Sequence, residues 1–478
     1  MFNKKKYIPL LFAGICLILV SCKIPAVTQR EENKTVPQSF SNNRDTANTA
    51  TIQWRQFFTD PLLINLIDTA LKNNQELLIT LQEIEISRNE IGLRQGKLLP
   101  AVNYRAGIGV EKVGRYTSQG AGDAGTDIKP GKAMPEPLGD FNLSAVASWE
   151  VDIWKKLRNA KKAAITKYLS TIEGKNFVIT NLVAEIAGSY YELLALDNQL
   201  AIVKQNIALQ NNALEIVKVQ KEASKATELA VKKFEAEVYS SQSLEFNILQ
   251  QITETENRIN LLLGRFPQPV IRSTAAFATS LLPQSINSGI PAQLLTNRPD
   301  IKQAELELAA AKLDVKVARA EFYPSLDLSA SFGVQAFNPA YITRLPESLL
   351  YSLAGDLVGP LINRRAIKAE FYNANARQLQ AMYEYERSIV TACVEVSSTL
   401  SNIQNLQKSY ALKSKEVEAL TQSIAISGDL FKSARADYLE VLMTQRDALD
   451  AKLELVDTIK EQLIATVNIY KSLGGGWQ

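Results

Sequence analysis

Ser325-Leu326-Asp327-Leu328-Ser329-Ala330-Ser331-Phe332-Gly333-Val334-Gln335-Ala336 is the stretch on which the fold turns. Leu326, Leu328, Ala330, Phe332, Val334 and Ala336 fall on one face, and Asp327, Ser329, Ser331 and Gln335 on the other. Successive side chains of a strand point to opposite faces, so a period of two predicts a β-strand with one apolar and one polar face. The same alternation occurs upstream, where Val102, Tyr104, Ala106, Ile108 and Val110 oppose Asn103, Arg105, Gly107, Gly109 and Glu111. Phe141, Leu143, Ala145, Ala147 and Trp149 oppose Asn142, Ser144, Ser148 and Glu150. A weaker version runs through Tyr351, Leu353, Leu357 and Leu361. Runs of about 10 residues suit strands that cross a bilayer. A soluble sandwich with one wetted face would alternate in the same way, so the strands by themselves leave both readings open.

Between the strand pairs the pattern changes to heptads. Leu193, Leu196, Leu200, Val203, Ile207, Leu214 and Val217 keep a 3-4 rhythm that Gln210 interrupts. Ile403, Leu406, Tyr410, Val417, Leu420 and Ile424 do the same, with Lys413 interrupting. Ile248, Ile252, Ile259 and Leu262, and later Leu449, Leu453, Val456, Leu463 and Tyr470, continue it on return helices. Narrow seams sustained this long predict coiled-coil packing. No Pro occurs from Trp154 to Ala223, and a helix of that length would reach roughly 100 Å at 1.5 Å per residue.

The strands and helices are written twice. Asn73-Asn74-Gln75-Glu76-Leu77 opens a helical segment ending in Leu98-Leu99-Pro100, and Asn297-Arg298-Pro299-Asp300-Ile301 opens another ending in Phe322-Tyr323-Pro324. Trp154-Lys155-Lys156 corresponds to Ile362-Asn363-Arg364. The first copy carries a longer insertion at residues 117–137, whose Gly and Pro content reads as loop. Pro299 fits the first turn of a helix with Asn297 as its N-cap, so Asp300 reads as structural.

The chain has 478 residues, 46% apolar and 22% charged, values of a folded protein. It contains no histidine, which removes imidazole metal sites, Ser-His-Asp hydrolysis and haem ligation by His. Formal charge is +3, and Lys4, Lys5 and Lys6 account for all of it, leaving 50 basic against 50 acidic residues. A neutral body argues against a nucleic-acid partner. Carboxylate pairs such as Asp140/Glu150 and Glu305/Glu307 lack a pocket signature and read as solvated faces. No cofactor, metal site or catalytic residue is implied.

Those three lysines precede an apolar run from Ile8 to Val20 that ends in Leu19-Val20-Ser21-Cys22. The run is short for a spanning helix, and its end resembles a bacterial lipobox, which makes Cys22 the lipid attachment site. Cys16 would leave with the signal, and Cys393 sits in an apolar helical pattern and reads as a small hydrophobe. After Cys22 no apolar run of 18 residues occurs, which excludes a helical span. The expected organisation is a lipoprotein signal peptide at 1–21 and a lipidated N-terminus with polar leader at 22–52. The first repeat covers 53–266 with strands at about 101–116 and 138–152, and a linker covers 267–290. The second repeat covers 291–478 with strands at about 325–338 and 349–362.

Four strands cannot close a barrel, and open edges facing lipid leave backbone groups unpaired at several kcal/mol each. Sister chains must complete the ring. Two copies give eight strands, whose lumen side chains fill, whereas three give twelve and leave a passage. The expected fold is an α+β membrane protein, internally duplicated, whose homotrimer forms a 12-stranded outer-membrane β-barrel, four strands per chain, continued by a long α-helical coiled-coil periplasmic barrel.

The chain resembles TolC-type outer-membrane factors of the lipid-anchored NodT-like efflux subgroup. The resemblance rests on Asn297-Arg298-Pro299-Asp300-Ile301 with Ala304-Glu305, and on Ala318-Arg319-Ala320-Glu321-Phe322-Tyr323-Pro324-Ser325-Leu326. Ser148-Trp149-Glu150-Val151-Asp152, Leu263-Gly264-Arg265 and Leu473-Gly474-Gly475-Gly476-Trp477 extend it over nearly everything after residue 50. It implies a passive exit duct, held in outer-membrane lipid and reaching into the periplasm, that docks through a periplasmic adaptor onto an inner-membrane pump. It also implies a gate of inward carboxylates at the periplasmic end. Asp437, Arg435 and Asp429 are the gate candidates, and helix-end residues exposed to solvent would look the same. The helix pairs should reverse near Gln220–Glu228 and Ser427–Tyr438, opposite the barrel. Glu222, Ser224, Lys225, Thr227, Gly428 and Ser433, with Ala226, Ser427 and Ala434 beside them, are candidate adaptor contacts. Asn103, Arg105, Glu111, Asp327 and Gln335 should line the barrel lumen. A duct for type I protein secretion has the same architecture. A poreless periplasmic adaptor-type coiled-coil lipoprotein is the reading of another class, and the duplicated strand pairs weigh against it.

Overall fold

The computed structural model describes residues 24–26, 30–40, 47–273, 287–360, 362, 364–433 and 435–477. The expected signal segment, Cys22, Leu361 and Ala434 lie outside the described residues. The chain divides into two compact units. One takes the start of the leader with Ile86–Tyr168 and Leu306–Met382, and the other takes Glu32–Glu85, Leu169–Glu305 and Tyr383–Gln478.

The principal elements recur in the same order, and their helices at nearly the same length. In the first copy α1 (Pro61–Asn73) and α2 (Gln75–Gly96, 22 residues) lead to β1 (Ala101–Glu111), and then to α3 (Ser118–Gly125). A two-strand hairpin follows, β2 (Asp127–Lys129) and β3 (Lys132–Ala133), then β4 (Leu138–Val151). The copy ends with α4 (Lys156–Glu222, 67 residues) and α5 (Glu228–Leu262, 35 residues). In the second copy α6 (Pro299–Ala320, 22 residues) leads to β5 (Ser325–Ala336) and β6 (Leu349–Val358). It ends with α7 (Arg365–Lys432, 68 residues) and α8 (Tyr438–Ser472, 35 residues). No helix among the described residues is long and apolar enough to cross a membrane.

In the first unit β1, β4, β5 and β6 form one antiparallel sheet in the order β1-β4-β5-β6. The register aligns the apolar faces of all four strands. Tyr104 lies opposite Ala145, Ala145 opposite Phe332, and Phe332 opposite Tyr351. A slip of one residue on any strand would turn its apolar set to the other side.

In the second unit the long hairpins and α1 share an apolar core. Leu63, Ile67, Ile186, Leu193, Ile259 and Leu263 are fully buried, and each such side chain contributes about 1.5–3 kcal/mol relative to exposure. Phe57 stacks on Tyr470 at 4.0 Å, and the Tyr470 hydroxyl donates to the Ile52 carbonyl at 2.6 Å. Asp60 starts α1 by accepting from the Leu62 amide at 2.8 Å, with Pro61 at the first helical position. The duplication is visible where each return helix ends. Gly264 (φ +65°) and Gly474 (φ +94°) are left-handed. A Cβ at Gly264 would lie 2.4 Å from the Asn73 carbonyl oxygen, and one at Gly474 would lie 2.7 Å from the Asn297 carbonyl. In both copies a glycine lets the helix end close on the segment that opens the repeat.

Three expectations need correction. The insertion at 117–137 is not all loop, because it holds α3 and the β2–β3 hairpin. Thr117 caps α3 through the Gly120 amide at 3.1 Å, and a Cβ at the buried Gly120 would lie 2.2 Å from the Gly114 carbonyl oxygen. Turn-rich composition hid a small folded excursion. Asn297 is not the N-cap of α6. It ends a preceding single turn, and Arg298 (φ −82°, ψ 120°) is the residue before Pro299. The strands are also shorter than expected, β1 stopping at Glu111 on its outer end and β6 at Val358 on the end nearest α7.

Candidate functional site

The sheet of the first unit presents two chemically distinct faces. On the apolar face Tyr104 is 88% exposed, Ile108 82%, Tyr351 79% and Leu353 81%. A contiguous apolar face left open over four strands needs an apolar environment to cover it. The opposite face carries all five residues expected to line a lumen. Asn103, Arg105 and Glu111 lie opposite Val146, Ser144 and Leu138. Asp327 accepts from the Ser325 hydroxyl at 2.8 Å, and Gln335 donates to Asp140 Oδ1 at 2.8 Å. The same face also holds Asn142 beside Gln335 and Asp356 beside Asp327. Asp356 was missed because β6 alternates poorly, with Leu350 on the polar side. At the base of the sheet Lys156 pairs with Glu150 at 2.5 Å, and Trp154 stacks on Tyr323 at 4.6 Å while donating to the Pro324 carbonyl at 2.8 Å.

The hairpin turns of the second unit hold the gate and adaptor candidates. Both turns end the ascending helix in the same way. The Lys225 amide reaches back to the Gln220 carbonyl at 2.8 Å, and the Arg435 amide to Leu430 at 2.9 Å, the six-to-one bond of a Schellman ending. Ser224 occupies the left-handed position (φ 60°). Thr227 caps α5 by accepting from the Ala230 amide at 3.2 Å. The matching residue of the second turn is Asp437, which is exposed and makes no capping bond, so its carboxylate stays open to other contacts. Arg435 is also exposed. Asp429 stands apart from them on the last turn of α7, paired with Lys432 at 3.3 Å, while its carbonyl accepts from the Ser433 hydroxyl. Glu222 and Lys225 are exposed, and Gly428 faces open space, since a Cβ there would meet nothing within 4 Å. Lys221 bonds Glu228 across the first turn and holds that carboxyl below its ordinary range.

The Asn-Arg-Pro-Asp motif is a structural clamp. Arg298, 5% exposed, donates Nε and Nη2 to the two carboxylate oxygens of Asp300 at 3.0 and 2.7 Å. Its Nη1 reaches Glu395 at 2.7 Å and the Ser472 carbonyl at 3.0 Å. Burial works against its charge, and the hydrogen bonds with Asp300 and Glu395 overcome it and raise its pKa. Each end of the leader docks on the unit it belongs to. Ile24 packs beside Ala318, Phe322, Phe371 and Ala374. Further on, Lys34 pairs with Glu305 at 2.8 Å, and the Asn33 amide donates to Glu386 at 2.9 Å.

A two-edged sheet with an open apolar face, joined in one duplicated chain to hairpins of 67-plus-35 and 68-plus-35 residues, defines an outer-membrane channel subunit. The sequence profile of the outer membrane efflux protein family matches residues 66–265 and 290–475, and the chain belongs to that family. The pyoverdine export outer membrane protein OpmQ of Pseudomonas aeruginosa is 30% identical over 427 residues, which are 89% of this chain and 88% of that one. The probable outer membrane lipoprotein SilC of Salmonella typhimurium is 24% identical over 98% of both chains. The open-state MtrE outer membrane channel of Neisseria gonorrhoeae superposes with a TM-score of 0.81 at 21% identity, covering 95% of this chain and 98% of that one. The chain is thus an outer-membrane efflux channel protein.

Proposed function

We propose that three copies of the chain join edge to edge into a twelve-stranded barrel and serve as the passive exit duct of a tripartite efflux system. Cargo would be delivered by an inner-membrane pump through a periplasmic adaptor. The observation that carries this reading is the four-stranded sheet with one open apolar face and with β1 and β6 as its edges. Lipid can cover the face, but only another strand can satisfy the edges. Asn103, Arg105, Glu111, Asp327 and Gln335 would then line the lumen.

Asp437 is the leading gate residue. Threefold symmetry would set three carboxylates around the axis, where their shared negative charge attracts cations. That Asp437 leaves its helix uncapped, where Thr227 caps the equivalent one, supports the reading. Arg435 would support it from the same turn, with Asp429 one helical turn away. Glu222, Ser224, Lys225, Thr227, Gly428 and Ser433 would meet the adaptor. The lipobox and the docking of Ile24 support a lipid on Cys22, and the name of SilC records an outer membrane lipoprotein among the relatives.

Purified protein in a planar bilayer tests the duct. Discrete conductance steps and a detergent-corrected mass of three chains are expected, and a non-conducting monomer would overturn the reading. Asp437→Ala should raise the conductance, and an unchanged value would move the gate elsewhere.

A further inference from the structure

The apolar seam of the first hairpin is broken by a polar layer. On the body side the fully buried seam ends at Val203 of α4 and Ile248 of α5, with the partly buried Ile207 and Leu244 packed against it, and on the turn side it resumes at Leu214 and Val238. Asn206, Gln210 and Ser241 lie between, all buried. Asn206 Nδ2 donates to Ser241 Oγ at 3.4 Å, a long bond. Gln210 is 0% exposed, and neither its Nε2 nor its Oε1 has a partner. The second hairpin breaks in step. Leu442 packs on the turn-side cluster, Leu449 belongs to the body, and Gln445 is buried between them.

A continuous heptad seam would carry an apolar residue at 210. A primary amide there, with donor and acceptor both unmet, destabilises the packed state by the full desolvation of those groups. Any movement that lets the amide reach water or a partner is favoured by the same amount. A seam cut in this way also splits cooperativity, because apolar contacts tie residues together on each side of the layer but are interrupted across it.

We infer that the Asn206–Gln210–Ser241 layer is a hinge, about which the turn segment from Leu214 to Val238, with Phe431, Tyr438 and Leu442 packed on it, moves against the body of the hairpin. The hinge follows from burial and unmet bonds. Its link to channel opening rests on the gate reading above.

Gln210→Met in the full-length chain tests it, since Met keeps the length and removes the amide, and Gln210→Leu is the second variant should Met assemble poorly. Hydrogen exchange is followed in peptides within 211–240 and within 186–203. In the unsubstituted protein the turn-side peptides should exchange faster than the body. In either variant they should slow by about tenfold or more, equivalent to about 1.4 kcal/mol, with the body unchanged. Equal protection of the two regions in the unsubstituted protein, or the same shift in both, overturns the hinge. Conductance supplies the second arm. Gln210→Met added to Asp437→Ala should lower the conductance that Asp437→Ala gains, and an unchanged gain breaks the link between hinge and opening. If Asp437→Ala alone gains nothing, the gate reading fails, and the exchange result still decides the hinge.

Discussion

Arg298→Met should loosen the junction where the second repeat opens against the end of α8. Arg298 makes two bonds to Asp300, one to Glu395 and one to the Ser472 carbonyl. Removing the guanidinium leaves two carboxylates without their cation, and breaking a buried ion pair in this way costs about 3–5 kcal/mol. The Asp300 and Glu395 side chains retain 22% and 44% exposure, so water recovers part of that. The low end applies, about 3 kcal/mol, or roughly a hundredfold in an opening equilibrium. Hydrogen exchange of peptides spanning 295–301 and 466–473 should accelerate by that factor. Arg298→Lys should recover little, because an ammonium cannot bond both oxygens of Asp300 in a fork. Adding Asp300→Leu to Arg298→Met should restore part of the loss, since one lone carboxylate is then gone. Protection within about threefold of the unsubstituted protein would refute the clamp and leave the motif without an energetic role.

The remaining predictions concern backbone and charge. Gly474→Ala should destabilise the C-terminal closure by more than about 1 kcal/mol, because φ is +94° and the new Cβ would lie 2.7 Å from Asn297. Gly92→Ala, mid-helix with nothing within 4 Å, should stabilise α2 by about 0.5–1 kcal/mol; thermal melting compares the two. Lys155 is left-handed at φ 62°, so Lys155→Gly should raise the melting temperature by relieving about 1 kcal/mol of strain. Glu228 has its pKa lowered by the hydrogen bond from Lys221. Its contribution is therefore present above the ordinary carboxylate pKa and lost as pH falls through the lowered folded value. Hydrogen exchange at the first turn should quicken over that acid window, and Lys221→Met should abolish the pH dependence.

Much of this architecture is written in one dimension. The period of two in Leu326–Ala336 and Val102–Val110 fixes which side of each strand is apolar, because a pleated backbone must alternate. The heptads from Leu193 to Val217 mark the coiled seam, and the same pattern appears twice because the sequence itself is duplicated. Even the polar break at Gln210 is visible as a missed beat in the rhythm.

What the chain alone could not reveal depends on partners distant in sequence. Asp356 joined the polar face only when β6 paired with β5 and placed it opposite Asp327. The motif arginine became a clamp only when folding brought Glu395 and Ser472, 97 and 174 residues away, to its guanidinium. The turn acids separated, Asp429 joining Lys432 while Asp437 stayed uncapped. Periodicity is a local property of the backbone and survives in sequence, whereas burial and bond satisfaction depend on which distant groups meet. Only the folded chain could therefore show that Gln210 is fully enclosed and without a hydrogen-bond partner.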